Sequence, residues 1–134
     1  MITHDVSKKM VEAAIEKARE LGIAGSVAVV NADGNMTAFL RMDGSLLGSA
    51  DGAIRKANTA AVSGMSTSDW FNMFTDNAAF GQIIAHGTSG MLFLPGGLPV
   101  PGESGGPDGG VGFSGGAPDQ DAQIVDAALS AISK

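Results

Sequence analysis

The chain has 134 residues, a formal net charge of −6 and a pI of about 4.6, a size that fits one domain over 1–134 and an acidity that opposes non-specific nucleic-acid binding, which draws on Lys and Arg displacing phosphate counterions. It has no cysteine, so disulfides, thiolate zinc clusters and thiol nucleophiles are excluded and a reducing, cytoplasmic setting is expected. No apolar run approaches the roughly 20 residues that span a bilayer, so no membrane partner is expected, and 44% hydrophobic against 16% charged residues leaves apolar surface for a homo-oligomer interface.

From Asp5 to Leu21, Val6, Met10, Val11, Ala14, Ile15, Ala18 and Leu21 recur at helical spacing, which predicts an amphipathic helix capped by Thr3 or Asp5 and ended by Gly22. SVAVVNADGNMTAFLRMDG reads as a hairpin whose Asp33-Gly34-Asn35 turn supplies positive backbone angles. Residues 49–63 carry Ala50, Ala53, Ile54, Ala57, Ala60 and Ala61 on one side, a helix able to approach a sheet closely. Ser66-x-x-Asp69 then caps a shorter helix that begins before Trp70, Phe71 and Phe74. Between Gly81 and Gly116 lie 13 of the 20 glycines and four of the five prolines, where periodicity is a weak guide. Short strands are expected at about 91–94 and 109–114, with PGGLPVPGESGGPDGG forming turns and an exposed loop. Pro118 opens a final helix with Asp119 and Asp121 in its first turn and Val125, Ala128, Leu129 and Ile132 on its apolar stripe. A hairpin near the start argues for an antiparallel sheet with helices packed on it, an α/β (α+β) fold.

The stretch GGVGFSGG at 109–116 contains both G-x-G-x-x-G and G-x-S-x-G. The first fails as a dinucleotide loop because only 19 residues follow Gly115, too few for the second strand and its acidic residue. The second fails as a nucleophile elbow because no histidine follows His86 to activate Ser114. What remains is backbone geometry: close approach to a neighbour and a sharp turn into the last helix, whose starting amides offer an anion site or are capped by Asp119.

RMDG at 41–44, KANTA at 56–60, PGGLPV at 95–100, GGVGFSGG at 109–116 and DQD at 119–121 are similar, in order and over nearly the whole chain, to the motifs of the GlcG/HbpS family. The resemblance implies a profilin-like fold, with an antiparallel sheet of about five strands flanked by helices, and assembly into homo-oligomers. It implies a haem-binding accessory role, with a pocket between subunits near His86 and PGGLPV, Gly96 and Gly97 included. Asn31 stands where the family often has aspartate, and GESGGPDG at 102–109 is unusual for it.

Among polar side chains, Arg41 and Lys56 are candidates for a carboxylate clamp, with Thr59, on the same helix side as Lys56, offering a hydroxyl; alternatively Arg41 and Asp43 pair with Lys56 or with one another. His86 in AHGTSG, a loop-like setting, is the candidate haem axial ligand or acid-base group. No metal other than haem iron, and no cofactor other than haem, is expected. The alternative function is a small cofactor-independent isomerase, lyase or hydratase acting on a small organic acid, with Arg41 and Lys56 holding the carboxylate, Asp43 or His86 moving a proton and Ser114 holding a ligand oxygen.

Overall fold

The computed structural model describes residues 1–133. In chain order the elements are α1 (His4–Glu20), β1 (Ser26–Asn31), β2 (Met36–Arg41), α2 (Ser49–Ser63), α3 (Thr67–Asp76), α4 (Ala78–Gly87), β3 (Gly97–Pro101), β4 (Pro107–Ser114) and α5 (Pro118–Ser130). The strands form one antiparallel sheet in the order β2-β1-β4-β3, so the α+β expectation holds with four strands among the described residues in place of about five. α1 and α5 cover one face, and α2 covers the other over β1, β4 and β3.

Most of the expected local signals act as read, although of Asp33-Gly34-Asn35 only Gly34 takes a positive φ, 86°. Thr3 caps α1, its hydroxyl accepting from the Val6 amide at 3.1 Å, and Gly22 follows the helix with φ 71°. In the hairpin the Asn31 carboxamide accepts from the amides of Asp33 and Asn35 at 3.0 and 2.9 Å, an Asx turn that fixes the reversal. Ser66 caps α3 through the Asp69 amide, and Pro118 occupies the first turn of α5.

Alternation along β4 sets the two layers. Val111 and Phe113 join Met10, Ala14, Val27, Val29, Ile124 and Val125 in the core beneath α1 and α5. Gly110 and Gly112 face α2: a Cβ on Gly112 would strike the Ala53 carbonyl and come within 2.6 Å of the Ala57 amide nitrogen, and one on Gly110 would strike the Ala57 carbonyl. The glycines of GGVGFSGG therefore let α2 lie directly on the strand, where Ala53 and Ala57 pack with Ala28 and Val30. This is the close backbone approach that the sequence called for.

Two parts of the glycine-rich segment differ from expectation. Residues 91–94 are not a strand; the Leu92 amide donates instead to the Thr59 hydroxyl at 2.9 Å, which spends that donor on α2. PGGLPVPGESGGPDGG is not one loop, because GLPVP pairs with β4 as β3. Pro99 and Pro101 are tolerated there because β3 is an edge strand, where a proline need not donate to a neighbour.

Candidate functional site

Four of the nominated residues lie in a buried knot and not in a cleft. Lys56 projects from α2, and its Nζ donates to Asp121 Oδ2 and to the Phe113 carbonyl, both at 3.0 Å. Asp121 Oδ1 accepts from the Gly116 amide at 2.8 Å. Gly96 accommodates the pair, since a Cβ there would sit 2.9 Å from Lys56 Nζ, while the Gly97 amide donates to Thr67 Oγ1 at 2.8 Å. Thr59, one turn on from Lys56, donates to the Arg55 carbonyl and accepts from Leu92. Burial raises the Asp121 pKa above the usual carboxylate value, and the Lys56 ammonium and the Gly115 and Gly116 amides oppose that rise. The amides opening α5 are thus capped from within, Gly116 by Asp121 and Ala117 by Gln120 Oε1, and not by Asp119.

Arg41 does not join Lys56. Its guanidinium donates to the carbonyls of Ser45 and Leu46 and to Ser49 Oγ, stapling the connection between β2 and α2. Asp43 is exposed and makes none of the described ion pairs, so neither Arg41 nor Asp43 pairs with Lys56 or with the other. Ser114 ends β4 beside a hollow of about 240 Å³ lined by Leu46, Gly48, Ser49, Ser114, Gly115 and Gly116.

His86 lies in a helix and not in a loop. Asn77 caps α4 through the Phe80 amide at 3.1 Å, and α4 packs chiefly on α3. The two are pinned by an aromatic cluster: Phe74 and Phe93 meet edge to face at 4.8 Å between centroids, Trp70 lies 5.3 Å from Phe93, and Phe80 6.1 Å from Phe74. The Trp70 indole donates to Ser63 Oγ at 3.0 Å, which anchors the cluster to α2. With Phe80 turned inward, Ala79, Gln82, Ile83, His86 and Gly87 line an open hollow of about 610 Å³. Ile83 is 71% exposed there, and the imidazole, also exposed, takes part in none of the described hydrogen bonds. His4, by contrast, sits at the solvent-exposed start of α1, 3.6 Å from Asp5.

An exposed imidazole outside the described hydrogen bonds, beside the exposed aliphatic carbon of Ile83, offers what a haem-iron ligand requires, a lone pair and an apolar flank. A family model described as haem degrading protein HbpS-like matches residues 2–130. The chain belongs to this HbpS-like family. It is 32% identical over 129 residues to corrinoid adenosyltransferase PduO of Salmonella typhimurium, covering 96% of this chain but 38% of the relative's length. The HbpS-like chain therefore spans well under half of that enzyme. Among solved structures, a double mutant of Streptomyces reticuli HbpS is 34% identical with a TM-score of 0.87, over 99% of this chain and 88% of that one. The PduOC:haem complex is 30% identical with a TM-score of 0.89, over 98% and 95% of the respective chains.

Proposed function

We propose that this protein is a self-associating, haem-binding accessory protein whose haem site is the outer face of α4. The observation that carries this reading is the exposed imidazole of His86 one turn from Ile83, on a helix face that no other described element covers; the likeness to the PduOC:haem complex supports it. His86 would hold the iron through a ring nitrogen, and Ile83 and Ala79 would supply apolar contact to the haem. Bound haem would supply an iron centre for ligand binding or electron exchange. A single open face covers one side of a flat macrocycle, so a second copy of the chain closing over the other side accounts for the apolar exposure at Ile83. The seven methionines are weaker thioether donors, and none of them lines the hollow beside His86.

Titration of haemin into the purified protein tests the reading. A shifted Soret band that saturates, and that His86→Ala alters far more than His4→Ala, is the expected result. Equal spectra for all three proteins would remove His86 as ligand. Ile83→Glu, which places a charge on the same face without touching the imidazole, is expected to weaken binding while leaving the unfolding temperature close to that of the parent.

A further inference from the structure

A second site follows from the hydroxyl groups beneath the start of α2, independently of the haem reading. Cross-strand pairing places Ser26 beside both Arg41 and Ser114, so the three side chains share one face of the sheet at the opening of α2. Ser26 Oγ lies 2.9 Å from Ser49 Oγ, and Arg41 Nη1 donates to Ser49 Oγ at 3.1 Å. Ser26 is fully buried and Ser49 is 3% exposed.

A serine hydroxyl has one proton to give and two lone pairs to fill. Ser26 has Ser49 as its one described side-chain partner, and a buried hydroxyl proton left unbonded is costly. Ser26 therefore donates to Ser49. With Arg41 donating as well, both Ser49 lone pairs are taken, and the Ser49 proton has no described acceptor in the protein. Ser49 lines the 240 Å³ hollow, as does Ser114, whose hydroxyl takes part in none of the described hydrogen bonds. Two hydroxyl donors thus meet at one cavity, with a guanidinium directly behind one of them.

From this arrangement we infer that the hollow is a binding site for a small monocarboxylate. Two donors match two carboxylate oxygens, and the Arg41 guanidinium matches a single negative charge, the nearby Lys56 ammonium being already neutralised by Asp121, where phosphate would bring nearly two. The volume admits about eight water-sized groups at about 30 Å³ each, which suits a short-chain acid and excludes a macrocycle. Gly48 at the start of α2 provides no side-chain cap, so the positive end of the helix dipole favours the same charge. Arg41 is a positioning residue: it holds Leu46 and Ser49 as cavity wall and orients the Ser49 proton.

Amide chemical shifts recorded during titration with sodium acetate, and separately with acetamide, test the site. Acetate at millimolar concentration is expected to give saturable shifts centred on residues 48–52 and 114–116, with acetamide at least about tenfold weaker. Ser114→Ala, which removes a hydroxyl without structural partners, is expected to weaken acetate binding about tenfold, and Ser49→Ala at least as much if it folds. Equal binding of acetate and acetamide, unchanged acetate affinity in Ser114→Ala, saturable shifts centred elsewhere, or a response to inorganic phosphate and not to acetate would each overturn the assignment. The haemin spectrum of Ser114→Ala should match that of the parent, which keeps failure of this site distinct from failure of the haem site.

Discussion

Lys56 and Asp121, 65 residues apart in sequence, meet at 3.0 Å with both side chains 4% exposed, and their contact joins α2 to α5 across the end of β4. A buried pair of this kind is worth little against an apolar substitute, but removing one partner leaves an uncompensated charge. Lys56→Met should therefore destabilise the fold by about 3 kcal/mol or more near neutral pH. The sign of its pH dependence follows from Asp121, whose folded pKa is already raised by burial and loses its main opposing influence when the ammonium goes. The stabilising contribution of such a group is complete below the ordinary carboxylate range and is lost as pH rises through the folded value. The deficit of Lys56→Met relative to the parent should shrink between neutral pH and about pH 4, as read from urea midpoints. A deficit that is constant or grows in acid would contradict the assignment of Lys56 as the counter-charge.

The glycines of β4 should be less replaceable than its serine. Alanine at Gly112 collides with the α2 backbone, and at Gly115 it meets both a φ of 152° and the Ala24 carbonyl at 2.6 Å. Each substitution should cost about 1–3 kcal/mol, as overpacking and backbone strain do. Ser114→Ala should fall within about 0.5 kcal/mol of the parent. Thermal unfolding of the three variants orders them directly, and a Ser114→Ala protein less stable than Gly112→Ala would reverse the packing argument. Stoichiometric labelling of Ser114 by a fluorophosphonate, lost in Ser114→Ala, would restore the nucleophile reading that the absence of a downstream histidine disfavours.

Loss of the Asn77 cap should be felt at α4 first. Asn77→Ala removes the side-chain acceptor for the Phe80 amide, a change of about 1 kcal/mol. Because α4 packs chiefly on α3, hydrogen exchange should accelerate across 78–87 while the amides of β1 and β4 stay protected. Uniform acceleration throughout the sheet would show that α4 is coupled to the core more tightly than its contacts indicate.

Self-association is tested by light scattering during size-exclusion chromatography. At micromolar concentration the parent should elute as at least a dimer, and Ile83→Glu should shift the distribution toward monomer. A parent protein that is monomeric throughout would remove the second copy from the haem site, and an oligomer indifferent to Ile83→Glu would move the interface to another face.

Much of the fold could be read from the sequence because its signals are local. Helical spacing in α1 and α2, the Asn31 to Asn35 turn, the Ser66 cap and Pro118 each act within a few residues. The exceptions have specific physical causes. Gly81 in AAFGQIIAHG opens the glycine-rich segment in which periodicity is a weak guide, yet it lies inside α4, where a Cβ would press within 2.9 Å of Phe74 Cβ; it is a contact glycine, and the Asn77 cap with Phe80, Ile83 and Ile84 at helical spacing is the available signal. Pro99 and Pro101 hid β3 because an edge position cannot be inferred from one strand alone. Of the site residues, His86 stands out in the sequence for its chemistry, but AHGTSG reads as a loop and gives no sign of the last turn of α4. Asp121 was read as a dipole partner only, since nothing local points from it to Lys56. Ser26 and Ser49 gave no signal at all: serines are common, and only strand register and the Arg41 staple bring these two together.

The proposed holding of haem on the outer face of α4 by His86 is open to one direct measurement. Crystals of the protein grown with haemin, measured at the iron absorption edge, locate the metal without reference to any variant. An anomalous peak within bonding distance of a His86 ring nitrogen, with the macrocycle against Ile83, is the expected result. A peak bonded to His4 or to a methionine, or lying at another face of the molecule, would contradict it.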